Sequence, residues 1–134
     1  MKTPTEEGIR TRGEMEAAVC AGISRFQQEY LGRGPKEIRA HLLGDLVVVR
    51  MQGVLTAAEQ HLVSTLIPEK GRDLLKQVRT QLIELARPTL TSMIREATGV
   101  PAISLHHDIS TVTGDEVILF TLSGVPVVRE PVKK

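Results

Sequence analysis

The stretch SLHHDIST, Ser104 to Thr111, sets His106, His107 and Asp108 side by side. Imidazole and carboxylate groups bind zinc or pass protons, so the first question is whether they converge. On a β-strand successive side chains point to opposite faces. His106 and Asp108 then share one face at a separation of about 7 Å, and His107 points the other way. The outward pair could bridge a proton or, with a third ligand, hold a metal, since zinc sites use three or four protein ligands. His41 on the other hairpin is the one candidate for that third place. Without further ligands no cofactor is expected. His107 falls with Ile109, Ile118, Phe120 and Leu122 on the presumed inner face. It reads as a half-buried histidine bonded to backbone or water, with a pH-sensitive switch as the sharper alternative.

Two other stretches carry charge suited to binding. GRGPK contains Arg33, Gly34 and Pro35. It follows a helix and precedes a strand, the reverse of a phosphate-binding loop, so it reads as a helix stop that leaves Arg33 open to a partner. Arg72, Lys76 and Arg79 recur at helical spacing with Arg87 two turns beyond, which predicts a solvated basic face available to an acidic partner or an anionic surface. Cys20 lies beside an apolar stripe and is expected to be a small packed side chain. It is the single cysteine, so an intramolecular disulfide is excluded. No nucleophile elbow occurs, and nothing here argues strongly for catalysis.

These residues must be positioned by elements that the pattern predicts. Met15, Val19, Ile23, Phe26 and Tyr30 follow a helical period and predict one buried stripe. IRAHLLGDLVVVRM predicts a hairpin about Gly44-Asp45, in which Leu43 pairs Leu46 and Ala40 faces Val49. Thr56 and Glu59 form a capping box for a short helix lined by Ala58, Leu62 and Leu66 and stopped by Pro68. A long helical pattern over Arg72 to Thr98 buries Leu75, Val78, Leu82, Leu85 and Ala86, then Leu90, Met93 and Ala97, with a kink or break at Pro88. Gly114-Asp115 suggests a second two-residue turn, which would pair Thr113 with Glu116 and set Ile109 opposite Phe120. GDLVVVRMQGV and GDEVILFTLSGV look alike and suggest an internal repeat.

The expected fold is α+β, in the order α-ββ-α-α-ββ: two antiparallel hairpins forming a four-stranded sheet, with helices on one face. Residues 1–13 are expected to be a flexible N-terminal segment, 14–124 a single α+β domain and 125–134 a C-terminal tail. The 134 residues suffice for one real core, and the 41% hydrophobic content is almost wholly aliphatic because aromatics make up only 2%. A net charge of +1 and so few stacking rings disfavour nucleic acid. No window is apolar enough for a signal peptide or a spanning helix, which predicts a soluble cytoplasmic protein.

GRGPKEIRAHLLGDLVVVRMQGVLTAAEQHLV, GRDLLKQVR and HHDISTVTGDEVILFTL together resemble the bacterial MpsC-like family, over about Glu14 to Leu122. Its most specific blocks are Gly32 to Pro35, Gly53-Val54-Leu55-Thr56, and Asp108-Ile109-Ser110 with Thr113-Gly114. The resemblance implies an accessory role in a sodium-translocating, membrane-potential-generating system, or in bicarbonate uptake. No catalytic residues come with it. The expectation is a non-enzymatic accessory or regulatory protein that forms a homo-oligomer and binds a membrane-transport protein, through which it lies peripherally at the inner membrane. A metal- or ligand-dependent enzyme using His106 and Asp108 is the second reading. A DNA-associated regulator using Arg72, Lys76 and Arg79 is the third.

Overall fold

The structure is a computed structural model and describes residues 9–65 and 68–130. Helix α1 (Arg12–Leu31) starts where Thr11 and Glu14 cap each other. The Glu14 amide donates to Thr11 Oγ1 at 3.1 Å, and the Thr11 amide donates to Glu14 Oε1 at 2.8 Å. The helix ends at Gly32, whose φ of +83° suits a residue without a Cβ. Met15, Val19, Ile23 and Phe26 are buried as the spacing predicts. Tyr30 is 39% exposed instead. Its ring lies tilted against Phe26, with centroids 4.7 Å apart, at the exposed end of the stripe.

Strands β1 (Glu37–Leu43) and β2 (Leu46–Gln52) form the expected hairpin, with Leu43 opposite Leu46, Ala40 opposite Val49, and Gly44 at φ +62°. Helix α2 (Ala57–Thr65) carries the predicted Thr56 and Glu59 capping box. Ala58 is exposed and Leu62 half-buried; Leu66 lies outside the described residues. The long helical pattern divides into α3 (Pro68–Leu85) and α4 (Arg87–Thr98). They break at Ala86, because Pro88 in the first turn of α4 cannot donate to the preceding helix. Strands β3 (Ala102–Ile109) and β4 (Glu116–Leu122) complete a four-stranded antiparallel sheet in the order β1-β2-β4-β3. The fold is α+β, with α1 and α4 packed on one sheet face and on each other.

The second hairpin differs from expectation. Ile109 pairs Glu116, Leu105 pairs Phe120 and His107 pairs Ile118, so the connection runs through residues 110–115 and is not a two-residue turn. The reason is local hydroxyl chemistry. Ser110 Oγ accepts from the Thr113 amide, Thr113 Oγ1 accepts from the Asp115 amide, and backbone bonds from Gly114 to Ser110 and from Ser110 to Asp115 close the loop. Glu116 faces inward in either register, and the shift brings it beside His107.

The two hairpins have the same register about the centre of the sheet. Val48 pairs Leu119, and moving along the chain from Val48 to Leu119 also carries Val47 to Ile118 and Val49 to Phe120, pair for pair. His41 corresponds in the same way to His106, opposite Val48 and Leu119 respectively. The preceding helices agree as well: buried Val19, Ile23, Phe26 and Gln27 of α1 correspond to buried Leu90, Ile94, Ala97 and Thr98 of α4. An approximate two-fold axis therefore stands normal to the sheet between β2 and β4. Helices α2 and α3 join the halves and cover one side only.

Candidate functional site

The periodic positions of three elements contain a polar residue where an apolar one is expected. Gln27 follows Ile23 by one turn of α1, Arg79 lies between Leu75 and Ile83 on α3, and Glu116 begins the inward series Ile118, Phe120 and Leu122 on β4. All three are buried, with Arg79 at 1% and Glu116 at 0% exposure. The fold joins them in one network with Glu59 of α2 and His107 of β3.

Arg79 is its hub. Its Nε and Nη2 donate to the two carboxylate oxygens of Glu59 at 2.8 and 2.7 Å, a bidentate fork. Nη2 also donates to the Val54 carbonyl at 3.0 Å. Nη1 reaches Glu116 at 3.3 Å and the Gln27 carbonyl oxygen at 3.4 Å. Gln27 Nε2 donates to Glu116 Oε1 at 2.7 Å, and His107 Nε2 lies 2.6 Å from Glu116 Oε2. Two carboxylates face one guanidinium, and the short His107 to Glu116 contact is where a proton can sit between ring and acid. Burial raises the Glu59 carboxyl, but the Arg79 hydrogen bonds and the Thr56 amide together outweigh it and hold Glu59 below the usual carboxylate range.

This arrangement corrects the reading of Arg79 as part of an exposed basic face. Helix α3 turns Leu75, Arg79, Ile83 and Ala86 inward, while Val78 and Leu85 face outward with Leu74. A buried guanidinium is tolerated because every donor finds an acceptor, and among the described residues no buried side-chain nitrogen or oxygen lacks a partner. Only Arg72 and Lys76 of the predicted trio are exposed. The DNA-binding alternative loses the charge at its centre.

The other sequence candidates are separated. Arg33 is half-buried and donates to the Leu55 and Gly53 carbonyls, both at 3.1 Å, so it ties the helix stop to the exit of β2. Gly34 and Pro35 lie in the same link. His106 and Asp108 share the outer face as strand alternation predicts, both exposed. Asp108 accepts from its neighbouring Ile109 amide at 2.8 Å and pairs with Lys76 at 3.4 Å. The amide first, then Lys76, lowers its carboxyl from the ordinary value. Among the described residues no group of three His, Cys, Asp or Glu side chains is placed to hold a metal ion. His107 faces inward as expected, though its partner is a carboxylate on the adjacent strand and not backbone or water. Cys20 packs partly against the core, and burial raises its thiol above the ordinary value.

Two surfaces remain unusual for a solvated domain: the outer face of the sheet, and an apolar stripe on α3 formed by Leu74, Val78 and Leu85, of which Leu85 is 73% exposed. No helix among the described residues is long and apolar enough to cross a membrane. The fold is a small α+β arrangement whose buried polar side chains are paired among the described residues, with an apolar stripe left exposed on α3. The family described as "Na+-translocating membrane potential-generating system (MpsC)" matches residues 11–124, and the chain belongs to that family. It is also similar to a Bacillus subtilis (strain 168) protein, "Uncharacterized protein YbcI", with 31% identity over 113 residues, covering 84% of this chain and 89% of that protein. No solved structure matches the chain.

Proposed function

We propose that this protein is a non-catalytic accessory component of a membrane ion-transport system, acting by binding a membrane-embedded partner. The observation that carries the reading is the exposed stripe of α3, where Leu74, Val78 and Leu85 recur along one side of a helix whose opposite side is fixed by Arg79. A stripe of this width fits one amphipathic helical segment, in the helix-on-helix manner by which apolar anchors at steps of three and four interlock. The family description supplies the kind of partner: a component of a system that moves sodium ions and generates membrane potential. Transport of inorganic carbon remains within the same reading. A chain with no spanning helix among its described residues contributes to such a system by binding and regulation, at the inner membrane surface.

Affinity capture from native membranes of a host that encodes the protein tests this. The wild-type protein is expected to recover a polytopic membrane protein, and Leu85→Asp is expected to lose it while keeping its fold by circular dichroism. Recovery of soluble proteins alone, or equal recovery by Leu85→Asp and wild type, overturns the reading.

A further inference from the structure

The runs Leu46-Val47-Val48-Val49 and Val117-Ile118-Leu119-Phe120 are apolar without interruption. An antiparallel strand with one face in water alternates apolar and polar residues, whereas a continuous apolar run belongs to a strand buried on both faces. Val47, Val49, Ile118 and Phe120 are buried under the helices. Leu46, Val48, Val117 and Leu119 point the other way and are only partly covered, on the face opposite those residues, which α3 reaches at its β3 edge through Lys76 and Asp108. The two central strands thus carry the composition of a doubly covered sheet.

We infer that this uncovered face is the interface of a two-fold dimer of the chain, two sheets packing face to face with the dyad parallel to the strands between β2 and β4. The charges choose both the partner and the axis. One row across the outer face reads Arg39, Arg50, Val117, Asp108 from β1 to β3, cationic at one edge and acidic at the other. A dyad parallel to the strands lays β1 of one copy over β3 of the second, so Arg39 meets Asp108 of the second copy on both sides of an apolar centre of Val48 and Leu119. A dyad across the strands would instead lay Arg39 over Leu43 and leave both charges without a counter-charge. Aligned packing of two sheets is a standard arrangement, with the faces about 10 Å apart. Within the protomer no ion pair holds Arg39 among the described residues, and Asp108, 79% exposed, has only the surface pair with Lys76. Charge pairing fixes the orientation and the apolar centre supplies the attraction. This inference stands apart from the transport reading, which rests on α3.

Sedimentation velocity of the full chain over a wide concentration range tests it. The wild type is expected to dimerise. Asp108→Arg and Arg39→Asp are each expected to raise the dissociation constant at least tenfold, and the double variant Arg39→Asp with Asp108→Arg to return it to within about threefold of wild type. The double variant does not restore the Lys76 pair, so its recovery isolates the contact between copies. Both residues are exposed, and thermal unfolding checks that each variant folds. In a Cys20→Ala background, a mixture of His41→Cys and His106→Cys proteins is expected to be joined as a mixed dimer by a bismaleimide long enough to span the two sheets, because facing positions on packed sheets lie too far apart for a direct disulfide. A chain that stays monomeric at all concentrations, or one whose dimer ignores both single charge reversals, overturns the inference; so does a double variant no tighter than the singles.

Discussion

His106 and His107 are neighbours in the chain and differ in every physical respect. His107 lies against Glu116 with its side chain 6% exposed, inside a network that reaches α1, α2, α3 and both strands of its hairpin. His106 stands on the opposite sheet face, in the row His41, Val48, Leu119, His106, exposed to solvent in the protomer. The inner face spends its polar groups on one another, because an unpartnered charge in a dry interior is costly. The outer face keeps its charges accessible and its apolar residues half-covered. Residue type alone therefore says little about chemistry here; the side of the sheet decides.

Removing the hub of the inner network is the strongest way to break that contrast. Arg79→Met strands two buried carboxylates and is expected to cost about 3–5 kcal/mol in denaturant unfolding, against about 0.5 kcal/mol or less for Arg72→Met on the surface of the same helix. Equal losses would show that Arg79 is not the keystone of the interior. The histidines give a finer comparison: His107→Ala is expected to cost about 1–3 kcal/mol by leaving Glu116 short of a partner, while His106→Ala changes protomer stability by no more than about 0.5 kcal/mol.

Acidification sharpens it further. Glu59 has a folded-state pKa below its ordinary value, so its contribution is fully present above the unfolded carboxylate pKa and is lost as pH falls through the lowered folded value. Stability measured by thermal unfolding should decline through that window, and Glu59→Gln should flatten the decline while lowering stability at neutral pH. The smallest effect concerns the hairpin that supports both faces. Gly44→Ala at φ +62° is expected to cost about 1 kcal/mol, and a neutral result in the same assay would show that the turn relaxes.

Much of the fold could be read from local chemistry: the β1 and β2 register from Gly44-Asp45, the start of α2 from Thr56 and Glu59, and the break at Pro88. Gly114-Asp115 resembles the first turn, but Ser110 and Thr113 supply side-chain acceptors that stabilise a longer loop, and the register this loop sets is what brings His107 to Glu116. Arg79 has the helical spacing of a solvated cationic face, whereas its position between Leu75 and Ile83 marks the core. Gln27 and Glu116 carried the same signal, a polar residue at an apolar-periodic position, which becomes informative only when several elements are seen to aim at one point. The outer pair of His106 and Asp108 was legible because strand alternation alone determines it.

The sheet order also has a kinetic consequence. Each hairpin closes between strands adjacent in the chain, but β2 and β4 meet only after α2, α3, α4 and β3 have been made. Ordering that much chain before the central pairing rewards it is entropically slow. The joining of two preformed halves at Val48 and Leu119 is thus expected to limit the folding rate, and substitutions there should slow refolding more than equally destabilising ones at the Gly44 turn.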